Sequence, residues 1–139
     1  MLNRALGALA LALVVTAGSA SAQGAAPAAK EPEAHGRPLS EWIADLKAAA
    51  PVIRNAAAYE IAGMGPAAAP AVPALIEALD DPLPVVRFPV TVALGEIGPG
   101  AAAAVPRLKQ MMQEEVNDEI AAGARRAIRH IQPSALAGQ

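Results

Sequence analysis

Cysteine is absent from the 139-residue chain, which excludes disulfides, thiolate nucleophiles, thiolate-bound metals and any lipid anchor attached through sulfur. Aromatic residues are nearly absent as well: one Trp, one Tyr and one Phe. With 54% of the residues hydrophobic, a core must therefore be aliphatic and rich in Ala, which lets helices approach closely but adds little buried area per side chain. Positive charge is in slight deficit, 11 basic against 13 acidic residues. Nucleic acids and anionic membranes both reward a concentrated cationic surface, so neither is expected as a partner. Only His35 and His130 carry imidazoles, and no third nitrogen or sulfur ligand accompanies them, so neither a zinc site nor any other cofactor is expected.

What is present begins with residues 1–22, MLNRALGALALALVVTAGSASA. Arg4, the apolar run over 5–17 and the small Ala20 and Ala22 have the order of a secretory signal peptide, with cleavage expected after Ala22. The run is shorter than the roughly 20 residues that span hydrocarbon, which weighs against its retention as an anchor. Cleavage takes away one basic residue and leaves a net charge of −3, in the periplasm or outside the cell and without a membrane partner. Residues 23–37, QGAAPAAKEPEAHGR, have no apolar period and read as a flexible arm rich in Pro and Ala. Ser40 is placed to cap a first helix, with Glu41 against its positive end.

From there the chain repeats itself. Val72, Pro73, Leu75, Ile76 and Leu79 recur 33 positions later as Val105, Pro106, Leu108, Lys109 and Met112, and 33 positions earlier as Leu39, Ser40, Trp42, Ile43 and Leu46. A second pattern follows each of these. Val86, Val90, Ala93, Leu94 and Ile97 fall on one stripe of a helix with about 3.6 residues per turn. They align with Ile53, Ala57, Glu60, Ile61 and Met64, and, after one added residue expected near 115–118, with Ile120, Ala124, Ala127, Ile128 and Ile131. Gly65-Pro66, Gly98-Pro99 and Gln132-Pro133 close the second helices. The expected fold is all-α: a short solenoid of three helical hairpins over 38–66, 71–99 and 104–133, followed by a tail at 134–139. A core this small leaves homodimerisation open.

The string PALIEALDDPLPVVRFPVTVALGEIG resembles a bacterial HEAT repeat, similar to the repeats of phycobilin lyases. The resemblance rests on Pro73, Asp81 and Arg87, which stand where such repeats carry Pro, Asp and Arg. The first repeat keeps Arg54 but has Ser40 and Ala48. The third keeps Pro106, puts Glu114 in the acidic place and has Ala121 for the Arg. End repeats of a solenoid have one unstacked side, so both are expected to act as caps. Arg87, at the start of a helix, needs a nearby acid against the dipole, and Asp81 or Asp80 in the adjoining turn is the expected partner. Pro89 falls inside the same helix and leaves the Val85 carbonyl without its donor.

No catalytic constellation is found, so the chain is not expected to be an enzyme. Ser40 and Ser134 have no paired base, GMGP and GEIGP are helix exits rather than phosphate loops, and the acidic pairs Asp80-Asp81, Glu114-Glu115 and Asp118-Glu119 lack the register of a calcium loop. Two surfaces remain. Tyr59, Phe88, Val92 and Arg126 lie off the core stripe of the second helices and form a candidate protein-binding face, although the rings could instead enlarge a thin core. Arg125, Arg126 and Arg129 form a cationic patch suited to an anionic partner. The expected function is that of an exported, non-enzymatic interaction module or small scaffold. The alternatives are an accessory or lyase-like protein that handles a cofactor, suggested only by the resemblance, and a structural subunit of a larger assembly.

Overall fold

The computed structural model describes residues 29–138. The signal peptide expected over 1–22 and the first part of the expected arm lie outside these residues. Within them the chain forms three helix pairs: α1 (Leu39–Asp45) with α2 (Pro51–Met64), α3 (Val72–Ala78) with α4 (Pro84–Ile97), and α5 (Val105–Glu114) with α6 (Asp118–Ile131). The second helices stack in order, α2 on α4 and α4 on α6.

The helix ends follow from local chemistry. Pro51 and Pro84 open α2 and α4 at the first helical position, where a missing N–H costs no intrahelical bond. At α6 the Asn117 side chain accepts hydrogen bonds from the backbone N–H groups of Glu119 (3.0 Å) and Ile120 (3.2 Å). Asp118 and Glu119 in its first turn and Arg129 and His130 in its last suit the helix dipole. Gly65 and Gly98 end α2 and α4 with φ of 59° and 73°, a conformation that other residues enter at a cost. From each glycine a 3-10 helix, Gly65–Ala71 or Gly98–Ala104, carries the chain into the next first helix. Read through these bends, residues 51–78 and 84–114 each contain an 18-residue stretch of high mean hydropathy, 1.2 and 1.3. The bends fold them into hairpins whose apolar residues pack on one another.

The core is one continuous aliphatic cluster running through all three pairs. All five stripe residues of α4 and all five of α6 are buried, as the spacing predicts. The stripe of α2 departs from it: Ala57 and Ile61 are buried, but Ile53 is 42% exposed, with no earlier second helix against it among the described residues. In α5 it is Met111 that is buried, and the Met112 nominated by the 33-residue register is only partly covered.

Two further expectations are corrected at the N-terminal end. Residues 29–37 are not a featureless arm: β1 (Glu33–Ala34) and β2 (Arg37–Pro38) pair as an antiparallel hairpin. His35 and Gly36 make its turn with φ of 52° and 73°, as a two-residue hairpin turn requires. The Arg37 guanidinium sits 3.9 Å over the Trp42 ring and donates to Glu41 (3.0 Å) and Asp45 (2.9 Å). Trp42 Nε1 donates to the Ala34 carbonyl (3.4 Å), and His35 Nε2 lies 3.2 Å from Glu60 of α2. Ser40, for its part, does not cap α1. The helix already begins at Leu39, and Glu31 accepts from both the Ser40 N–H and its hydroxyl.

Candidate interaction surface

Each second helix has a row of equivalent positions four residues apart, which in α2 and α4 faces the next repeat. In α2 the row is Arg54, Ala58 and Ala62; in α4 it is Arg87, Thr91 and Gly95; in α6 it is Ala121, Arg125 and Arg129. Small side chains in the first two rows let the helices close. A Cβ built on Gly123 of α6 would lie 2.6 Å from Thr91 Oγ1, and one on Gly95 would lie 3.3 Å from the Ala127 Cα. Thr91 is fully buried and donates its hydroxyl hydrogen to the Phe88 carbonyl (2.7 Å).

The arginines that head these rows bind across the seam. Arg54 donates through Nε and Nη2 to the two oxygens of Asp81 (2.6 and 3.2 Å), and through Nη1 to the carbonyls of Ala48 and Ala49. Arg87 repeats the arrangement one repeat later. Its Nε and Nη2 donate to Glu115 (2.8 and 3.0 Å), while Nη1 donates to the Asp81 carbonyl (2.8 Å). The expected pairing of Arg87 with the side chain of Asp81 or Asp80 is therefore corrected: Asp81 is held by the preceding repeat, and Arg87 takes an acid from the following one. Asp81 also accepts from the Leu83 N–H as Glu115 does from that of Asn117, so Glu115, not Glu114, is the equivalent of Asp81. The added residue of the third repeat consequently lies in the last turn of α5, before Glu115.

These contacts set the charge states. Burial pushes the Asp81 pKa upward, but the Arg54 hydrogen bonds, the Leu83 N–H and the positive charges of Arg54 and Arg87 together hold it below the ordinary carboxylate value. Glu115 is lowered chiefly by its hydrogen bonds to Arg87, against a smaller opposing effect of burial. Arg54 is raised, first by its hydrogen bonds to Asp81. Arg107 reaches in the opposite sense, back to Asp80 (3.0 Å), while its Nη1 is buried without a partner. Asp80, Asp81, Arg87, Arg107 and Glu115 line a hollow of about 380 Å³ at the turns between repeats two and three. No group of three or more His, Asp or Glu side chains among the described residues is arranged to hold a metal ion.

The outward face of the second helices carries the sequence-predicted site residues, in two adjacent hollows rather than one. Tyr59 and Phe88 line the first, of about 260 Å³, with Asn55, Val85 and Glu119. Val92 and Arg126 line a narrower one of about 70 Å³ with Thr91, Gly123 and His130. Tyr59 is 47% exposed, whereas Phe88 and Val92 are partly buried and packed on the core. Phe88 and Val92 thus enlarge the core in part, and Tyr59 does not. Val52 and Val85 extend the apolar strip, at 73% and 56% exposed. Arg125, Arg126 and Arg129 meet in a third hollow, of about 360 Å³, on the far side of α6.

Asn55, which the register places with Phe88 outside the core stripe, was not among the candidate site residues; its Nδ2 donates to the Val85 carbonyl at 2.6 Å. That carbonyl is the one Pro89 leaves without a donor, so a side chain from the neighbouring repeat replaces the missing backbone bond. The signal for this lay in the proline. Gly123, in mid-helix where Gly costs about 1 kcal/mol relative to Ala, likewise marked a close approach.

The family model described as HEAT repeats matches residues 39–129. No curated protein matches the chain.

Proposed function

The chain belongs to the HEAT repeat family, and from that membership we propose that it is a small, non-enzymatic protein-interaction module, exported to the periplasm or beyond the cell. The observation that carries this reading is the outward face of α2, α4 and α6. Val52, Tyr59 and Val85 are exposed there and continue into the partly buried Phe88 and Val92, which makes an apolar strip across α2 and α4. Scattered exposed apolar residues need no explanation, but a strip aligned across successive repeats, bordered by Arg126 and His130, has the composition of a contact surface. Tyr59, at the edge of one hollow, is the side chain placed to enter a partner. Phe88 gives that hollow a partly buried floor, and Val92 lines the adjacent one.

Export rests on residues 1–22 and is tested separately. Mass spectrometry of the protein recovered from native cells is expected to find an N-terminus at Gln23; soluble exported protein that retains Met1 contradicts it. The binding face is tested once a partner has been purified. In calorimetry Tyr59→Ala is expected to weaken binding by about tenfold, the loss of one well-placed aromatic anchor, with little change in melting temperature. Unaltered affinity would move the site elsewhere.

A further inference from the structure

The row that seats each successive second helix changes character at its last occurrence. Ala58 and Ala62 in α2, and Thr91 and Gly95 in α4, are small and buried under the next repeat. At the same places α6 carries Arg125 and Arg129, both exposed, and Ala121 stands where Arg54 and Arg87 clasp an acid. Polarity alone suffices to stop further stacking, and side chains of either sign supply it. What a stop does not require is three cations of one sign without acids. Arg37, Arg54, Arg87 and Arg107 each have a carboxylate partner, whereas Arg125, Arg126 and Arg129 have none among the described residues.

These arginines border a hollow of about 360 Å³ that also includes Met112, Ala121 and Ala122. We propose that this end face of the solenoid is a docking site for an acidic segment of a partner protein. Arg125 and Arg129, one helical turn apart, share its carboxylates, and a neighbouring apolar side chain rests on Met112 and the two alanines. The Arg fork suits a carboxylate in geometry as well as charge. Several features favour a protein segment over a nucleic acid or a lipid surface. The patch is only about 6 Å long along the helix, Asp118 shares the hollow and repels a continuous polyanion, and the chain as a whole has a net charge of −2. The site shares Arg126 with the border of the apolar strip, but Arg125 and Arg129 lie outside that strip, and the site stands or falls without it.

The probe is a short fluorescein-labelled peptide of alternating Glu and Leu, with a Gln-for-Glu copy as control, titrated into the full chain and followed by anisotropy. Wild type is expected to bind the Glu peptide at least tenfold more tightly than the Gln peptide at about 50 mM salt, and more weakly at about 200 mM, as a charge-steered contact requires. The variant carrying Arg125→Glu and Arg129→Glu keeps a polar, unstackable end, so circular dichroism and sedimentation should match wild type while peptide affinity falls at least tenfold. If that variant does not fold, Arg129→Gln alone should cost at least threefold. The proposal is overturned if these variants bind the Glu peptide as wild type does, or if the Gln peptide binds equally well. It is also overturned if phosphatidylglycerol vesicles or a DNA oligonucleotide bind to this face and the Glu peptide does not.

Discussion

Arg87 joins two repeats with one guanidinium, donating to the Asp81 carbonyl in its own turn and to both oxygens of Glu115 in the next. Both side chains of that pair are largely buried, so removing one leaves the other charge poorly solvated. Arg87→Ala is expected to lower stability by about 1 to 3 kcal/mol in denaturant melts. With Glu115→Gln added, the combined loss should be smaller than the sum of the single losses; strict additivity would mean that the pair is not coupled. The acid dependence has a definite sign. Asp81 and Glu115 have folded pKa values below their unfolded ones, so their contribution is fully present above the unfolded values of about 4 to 4.5 and is lost as pH falls through the folded values. Stability should therefore drop below about pH 5, and Glu115→Gln should flatten that slope. A second residue-level test concerns Gly123. Its Ala variant gains helix propensity worth about 1 kcal/mol but drives a methyl group into Thr91 Oγ1, and overpacking of this kind costs about 1 to 3 kcal/mol. Gly123→Ala should destabilise in thermal melts, and Thr91→Ala should restore part of the loss; a stabilised single variant would mean that the seam is looser than described.

Among the elements, the second helices were the most legible in the sequence, because Val86, Val90, Leu94 and their counterparts repeat a spacing set by the geometry of one helix. The contacts between repeats were not. Which acid meets Arg87 depends on a neighbour 28 residues away, and one added residue in α5 moves the equivalent of Asp81 from Glu114 to Glu115. The aligned face bearing Tyr59 and Phe88 could be placed from register alone, but whether a ring points outward or inward depends on what lies across the seam. The hairpin of β1 and β2 was illegible for a different reason. Two-residue strands have no period to detect, and this pair depends on Arg37 and His35 reaching Trp42, Asp45 and Glu60. It packs on α1 and α2, the first helix pair among the described residues. Deleting residues 29–38 is accordingly expected to lower the melting temperature by several degrees, as a loss of about 1 to 2 kcal/mol does in a domain of this size. An unchanged melting temperature would show that the hairpin contributes nothing as a cap.

At the scale of the whole molecule, three helix pairs that could not each bury an apolar stripe alone become one core through stacking. The stack is closed by a hairpin at one end and by the arginines of α6 at the other. Among the described residues the outward face of α2 and α4 carries the exposed Val52, Tyr59 and Val85, and the functional account depends on that face. The direct test is photo-crosslinking in the native cell type, with a photoreactive amino acid placed in turn at Tyr59 and Val85 on the second helices and at Glu77 and Gln110, exposed positions on the first helices. The account predicts that one and the same protein is captured from Tyr59 and Val85 and not from Glu77 or Gln110. Capture from the first-helix positions alone would contradict it.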